Sequence, residues 1–158
     1  LPGNIPGNDE VSIVHGDFRL DNMVLHQDKP EVAAVLDWEL STLGHPLGDF
    51  TYHLMQWYMP SEAGSTNTLK DCDFGALNIP DASEYTRLYC EETQRDSIEN
   101  MDFYIAYNMF RLAGILQGIV GRVRDGTASN AHAAAMEDRV KPLSDMGWEY
   151  ALRAGAEG

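Results

Sequence analysis

Three oxygen-bearing side chains, Asp17, Asn22 and Asp37, have the types and spacing of a site that handles phosphate groups. Asp17 and Asn22 lie in the stretch 14–22, and Asp37 follows the next long apolar run. Carboxylate and amide oxygens are hard ligands that suit Mg²⁺, which takes few protein ligands and leaves its other positions to water and phosphate. These residue types therefore favour metal-assisted phosphate chemistry.

A β-hairpin is predicted between these side chains. Two short apolar runs, 23–25 and 32–36, flank a polar turn that contains a proline. In an antiparallel pair centred on that turn, Asn22 lies opposite Asp37. We therefore expect these two side chains to meet. Asp17 lies in the loop that leads into the hairpin, so all three converge at one open end.

The same residues fit the parts of a phosphoryl-transfer site, which needs positioning and charge neutralisation more than covalent chemistry. Asp17 can accept the proton of a substrate hydroxyl, and Asn22 with Asp37 can hold a metal that bridges nucleotide phosphates. These roles are transferred from the kinase catalytic loop and its metal-binding Asp. Asp37 ends an apolar strand, where an unpaired carboxylate is costly, so a metal or cation partner is expected.

Two neighbouring residues, Arg19 and Glu39, each have two possible roles. Arg19 is a permanent cation that either contacts the transferred phosphate or forms a salt bridge with Asp21 or Asp37. Glu39 either assists the metal through water or pairs with a nearby cation. His15 is expected to hold the loop by hydrogen bonds rather than to act as a ligand or a base.

Several stretches together resemble one family of kinases. They are His15-Gly16-Asp17 with Asn22, then Asp37-Trp38-Glu39, then Gly44-His45-Pro46 and Asp49. This pattern resembles the aminoglycoside phosphotransferase and choline kinase-like family. The sequences of residues 43–49 and 110–118 are most similar to kinase-like domains related to those fused to acyl-CoA dehydrogenases. The resemblance implies a kinase-like fold, ATP, Mg²⁺ and a small-molecule acceptor with a hydroxyl group. It also implies that Asp49 can brace the catalytic loop.

The position of the loop in the chain departs from this family. Family members carry an N-terminal lobe with a strand Lys and a glycine loop before the catalytic loop. Here the loop begins at residue 15, and the chain opens with Leu1. We therefore expect residues 1–158 to be a single domain, the C-terminal lobe, whose partner is an N-terminal kinase lobe. The isolated chain is expected to be inactive.

Composition narrows the class of protein further. The chain has 158 residues, 44% of them hydrophobic, which is enough for one domain with a core. Its net charge of −14 argues against binding to nucleic acid or to an anionic membrane surface, since both need a basic footprint. The sequence has no apolar run of membrane length, and the two cysteines give no disulfide framework; we expect no signal peptide. These features predict a cytoplasmic protein.

The remaining pattern predicts an α+β fold that is mainly helical, and the resemblance implies that this fold is a kinase-like C-terminal lobe. Residues 11–14 are predicted to be extended, and 37–48 and 62–80 to be mostly irregular. Asp49 is expected to cap a helix over 50–59, on which His53 and Trp57 could face an acceptor pocket. Further helices are expected at 81–96 with Asp81 as N-cap, at 100–123, at 129–141 and at 143–153, with Pro142 separating the last two. The helix over 100–123 is apolar on most sides, which predicts that it is the buried central helix.

Two other functions remain open from the sequence. One is a metal-dependent phosphohydrolase that uses Asp17, Asp37, Asp49 and the histidines, although metal-ligand spacing beyond His15 is lacking. The other is a kinase-like module that binds without catalysis. The acceptor also stays open between an aminoglycoside, choline, a sugar and a hydroxyacyl-CoA.

Overall fold

The computed structural model describes residues 2–7, 10–59, 68–127 and 136–157. The chain divides into two compact units. One comprises Asn8–Glu99, and the other comprises Leu1–Gly7 together with Asn100–Gly158. Among the described residues, the first contains two small antiparallel sheets and three α-helices, and the second contains two long helices. The α+β, mainly helical fold class predicted from the sequence is confirmed.

Two strand pairs frame the predicted loop. Strand β1 (Ser12–Val14) pairs with β4 (Thr42–Gly44), so that Ile13 lies opposite Leu43. Strands β2 (Met23–Leu25) and β3 (Val32–Val35) form the predicted hairpin. The prediction of an irregular segment over 37–48 was wrong. That segment holds a 3₁₀ turn (Trp38–Leu40), β4 and the start of the next helix, because pairing with β1 imposes extended backbone on a stretch with no strand pattern of its own.

The register of the hairpin differs from the predicted one. Met23 lies opposite Val35, and the Leu36 N–H donates to the Asn22 carbonyl oxygen at 2.8 Å, so Asn22 faces Leu36 and not Asp37. The difference is set at the turn, where the His26 backbone N–H donates to the Glu31 carbonyl oxygen at 2.8 Å and Leu25 lies opposite Val32. Continued unchanged, that pairing would place Asn22 opposite Val35. The irregularity between Val24 and Leu25 shifts the later pairs by one residue, which places Asn22 opposite Leu36.

The described residues of the unit 8–99 also form three α-helices. Helix α1 (Leu47–Leu54) continues as a 3₁₀ turn to Trp57, α2 spans Phe74–Leu77, and α3 spans Ala82–Glu92. The predicted cap of α3 is confirmed, since the Asp81 carboxylate accepts from the Glu84 N–H at 2.8 Å. Helix α1 begins before Asp49, which lies in its first turn, so the predicted cap by Asp49 was wrong.

Aromatic packing joins α1 and its 3₁₀ extension to α3. The rings of Phe50 and Tyr89 stack at 3.9 Å, and those of Trp57 and Tyr85 stack at 4.9 Å. The Trp57 indole N–H also donates to the carbonyl oxygen of Pro80 at 3.0 Å. Such offset stacks add to the apolar burial that holds these helices together.

The second unit is a hairpin of α4 (Met101–Arg124) and α5 (Glu137–Arg153). Arg124 pairs with Glu137, and a Cβ on Gly147 would lie 3.3 Å from the Met109 Cβ, so the two helices are antiparallel and in close contact. Burial of α4 is less complete than predicted: Met109 is 0% exposed, whereas Phe110 at the next position is 70% exposed.

Pro142 lies inside α5 instead of separating two helices. Pro142 is the sixth residue of α5 and has no backbone N–H, so the helix lacks the bond that this position would donate to the Asp138 carbonyl. The predicted helix over 129–141 lies partly outside the described residues. None of the described helices is both long and apolar enough to span a bilayer.

Candidate functional site

His15 is the buried centre of the loop that the sequence singled out, with 2% of its surface exposed. The Asp17 backbone N–H donates to His15 Nδ1 at 3.2 Å, and His15 Nε2 lies 2.7 Å from the Leu36 carbonyl oxygen. An N–H can only donate and a carbonyl can only accept, so this geometry fits the tautomer with its proton on Nε2. His15 thereby ties the loop to the segment before Asp37.

Asp49 braces the same loop from the first turn of α1. Its two carboxylate oxygens accept the backbone N–H groups of His15 and of Gly16, the latter at 2.9 Å. Gly16 has φ of +83°, and a Cβ there would lie 2.6 Å from the Leu40 carbonyl oxygen. Glycine is therefore required at this position for both conformation and space.

Asp17 and Asn22 are brought together as predicted. The Asn22 side-chain amide donates to the Asp17 backbone carbonyl at 2.9 Å and to its carboxylate Oδ2 at 3.1 Å. Arg19 approaches the same carboxylate, with Nε at 3.8 Å from Asp17 Oδ2, while its Nη2 pairs with Asp21 Oδ2 at 3.1 Å. Of the two interpretations of Arg19, the structure shows the salt bridge to Asp21. Arg19 Nε is buried and has no hydrogen-bond partner among the described residues.

The Asp37 carboxylate forms no hydrogen bond with Asp17 or Asn22. This carboxylate is exposed, and none of the residues that the structure describes bonds to it. The expectation that burial forces a partner on Asp37 was therefore wrong, because β3 and the residues after it are themselves exposed. The backbone of Asp37 is left-handed, with φ of 66° and ψ of 51°, which is uncommon for a residue other than glycine. Glu39 is exposed in the 3₁₀ turn that follows.

The donor groups of this region fit magnesium in their chemistry. The Asn22 side chain donates its amide N–H to Asp17, so its Oδ1 can still bind a metal ion. The exposed Asp37 carboxylate can do the same. Mg²⁺ is commonly held by one or two carboxylates, with waters and substrate phosphates filling the remaining positions. Across 2–7, 10–59, 68–127 and 136–157, however, His, Cys, Asp and Glu side chains form no group of three that could hold a metal.

Trp38 was given no role in the sequence analysis, yet it lies against the loop. Its ring centroid is 4.8 Å from that of His15, and its indole N–H donates to the Val35 carbonyl oxygen at 2.8 Å. The sequence signal for this contact was the tryptophan directly after Asp37, since an indole N–H that is partly buried usually finds a hydrogen-bond partner.

His53 lies on the α1 side of the loop, with 5% of its surface exposed. Its ring is 5.7 Å from Phe18, which follows Asp17, and 5.5 Å from both Trp57 and Tyr85. Burial lowers the pKa of His53, because the charged ring loses solvation. His53 Nδ1 is buried without a hydrogen-bond partner in the part of the chain that the structure describes.

Comparison with known proteins identifies the class. Residues 1–74 match the family described as the Phosphotransferase enzyme family. A solved structure from Ralstonia eutropha JMP134, assigned as an aminoglycoside phosphotransferase, has a TM-score of 0.87 and 51% sequence identity, covering 96% of this chain and 46% of that one. The resemblance to this family of kinase-like phosphotransferases that the loop predicted is therefore confirmed.

Particular relatives are longer proteins. Acyl-CoA dehydrogenase family member 10 of Mus musculus is 41% identical, over 98% of this chain and 14% of its own length. Acyl-CoA dehydrogenase family member 11 of Gallus gallus is 37% identical, over 97% of this chain and 20% of its own length. The chain thus spans a seventh to a fifth of these relatives, and the predicted likeness to domains fused to acyl-CoA dehydrogenases is confirmed.

Proposed function

We propose that this chain is the C-terminal, catalytic lobe of a phosphotransferase that moves the terminal phosphoryl group of ATP to a hydroxyl of a small molecule. The observation that supports this most is the Asn22 amide bonded to the Asp17 carboxylate in a loop braced by Asp49. Phosphoryl transfer depends on such positioning.

Asp17 is the proposed base. Its Oδ2 accepts from Asn22, which fixes the direction of the carboxylate and leaves Oδ1 for the acceptor hydroxyl. Arg19 adds a fixed cation beside it, 3.8 Å from Asp17 Oδ2, where negative charge is transferred.

Asn22 and Asp37 are the proposed magnesium ligands, with Glu39 contributing through water. Magnesium would neutralise charge on the nucleotide phosphates. The left-handed backbone of Asp37 supports this role, since strained conformations of this kind concentrate at functional sites.

An N-terminal nucleotide-binding lobe is the proposed partner. In the strand pair β1–β4, Ile13 and Leu43 are register partners that are 71% and 72% exposed. The hairpin exposes Leu25 and Val32 as well. A surface this apolar is unusual on a solvated sheet and suits a packed neighbour. We propose that the lobe covers it, and that the isolated chain is inactive for lack of that lobe.

The test of catalysis uses a longer parent protein in which an N-terminal lobe precedes this segment. Transfer from radiolabelled ATP is measured to an aminoglycoside, choline, a sugar and a hydroxyacyl-CoA. Asp17→Asn is expected to lower turnover by at least about a hundredfold, in line with the loss of a general base. The control is Asp28→Asn in the hairpin turn. Normal turnover of the Asp17→Asn protein would overturn the proposed base.

The test of the partner compares two equally exposed apolar residues. Ile13→Asp is expected to weaken binding of a separately produced N-terminal lobe, measured by calorimetry, whereas Phe110→Asp on α4 is the control. Equal effects of the two changes would overturn the proposed surface. Binding of the lobe without any phosphotransfer would instead favour the non-catalytic module.

The phosphohydrolase alternative loses support from the geometry. It requires Asp49 as a metal ligand, but both Asp49 oxygens are engaged by backbone N–H groups of His15 and Gly16. A two-metal site also needs a cluster of carboxylates and histidines.

A further inference from the structure

The left-handed conformation of Asp37 needs an explanation in its surroundings. An L-residue in this region is disfavoured by contact between its Cβ and the backbone, although Asp tolerates the conformation better than most. Such a residue persists only where neighbouring contacts hold the backbone in place. The Asp37 side chain makes no contact of that kind among the described residues, so the restraint comes from the residues on either side.

The flanking residues are fixed by hydrogen bonds. Before Asp37, the Leu36 N–H donates to Asn22 at 2.8 Å, and the Leu36 carbonyl lies 2.7 Å from His15 Nε2. After it, the Trp38 indole N–H donates back to the Val35 carbonyl at 2.8 Å. This last bond spans Asp37, and the contact of the Trp38 ring with His15 at 4.8 Å holds the indole in place.

We infer that Trp38 is a positioning residue whose indole N–H keeps Asp37 left-handed and so directs its carboxylate toward the metal. This inference rests on the proposed function. Trp38 is 48% exposed, so much of its ring is not used for packing. The role therefore belongs to the N–H group and its bond to Val35, and a phenylalanine that keeps the ring contact with His15 cannot replace it.

The first experiment measures Mn²⁺ binding to the full chain by water-proton relaxation, with Mn²⁺ as the probe for the magnesium site. Trp38→Phe is expected to weaken binding about fivefold, the effect of losing one neutral hydrogen bond. Trp148→Phe is the matched control, since Trp148 is 49% exposed on α5. Asp37→Asn is expected to remove most of the binding. Unchanged affinity of Trp38→Phe beside a strong effect of Asp37→Asn would overturn the inference.

A second measurement is independent of the metal. The intraresidue amide-to-α-proton NOE of Asp37 is strong when φ is positive, and Trp38→Phe is expected to weaken it. An unchanged NOE would overturn the inference, whatever the Mn²⁺ experiment shows. Mn²⁺ binding that does not depend on Asp37 would refute only the proposal that Asp37 is a metal ligand. Should Trp38→Phe fail to fold, β-(3-benzothienyl)alanine at position 38 keeps the indole shape without the N–H, and the same NOE decides.

Discussion

Replacing Asp49 with alanine tests how the catalytic loop is held. The Asp49 carboxylate accepts two backbone N–H groups, from His15 and Gly16. Hydrogen bonds to a charged group contribute about 1.5–3 kcal/mol each. The two bonds share one side chain and are not additive, so we expect Asp49→Ala to lower the free energy of unfolding by about 3 kcal/mol. The buried position of His15 makes its orphaned N–H the larger part of the loss.

The assay is urea unfolding followed by circular dichroism, with amide hydrogen exchange at Gly16 as the local readout. The control is Asp81→Ala, which removes one exposed cap bond to the Glu84 N–H and is expected to cost about 1 kcal/mol. Asp49→Ala should also speed exchange at Gly16, whereas Asp81→Ala should leave it unchanged. Equal destabilisation by the two variants, with Gly16 still protected, would refute the bracing role of Asp49.

Two further predictions concern backbone conformation and pH. Gly16→Ala is expected to destabilise the chain more than Gly126→Ala does in thermal unfolding, by about 2 kcal/mol or more. Both glycines have positive φ, but only at Gly16 would a Cβ meet another atom, the Leu40 carbonyl oxygen at 2.6 Å, and equal shifts would contradict this. Burial lowers the pKa of His53 in the folded chain, so the unfolded chain binds the proton more tightly. Stability should then fall as pH drops below the ordinary His value of about 6.5, and His53→Gln should flatten that dependence in unfolding measured from pH 8 to pH 5.

Local patterns in the sequence were sufficient for several parts of the fold. The hairpin follows from two apolar runs around a polar turn, and the cap of α3 follows from Asp81 with Glu84 three residues later. Both depend on contacts between residues close in the chain, which a sequence displays directly. The sequence around Asp17 also indicated the resemblance to phosphotransferases that the comparisons confirm.

Contacts between distant residues could not be obtained in this way. The local pattern predicted Asp49 only as the cap of its own helix, and its bonds to the N–H groups at positions 15 and 16 were implied by the family resemblance alone. The pairing of β4 with β1 likewise gave a strand to a segment without a strand pattern.

The sequence by itself determined which groups are available for chemistry: a carboxylate at Asp17, an amide at Asn22 and a second carboxylate at Asp37. Only the tertiary structure decided their arrangement. A bulge in the hairpin set Asn22 opposite Leu36, and the bonds around Asp37 left its carboxylate exposed and its backbone left-handed. The physical reason is that each side-chain type is given by a single position in the sequence, whereas strand register and side-chain direction depend on hydrogen bonds between residues that folding brings together.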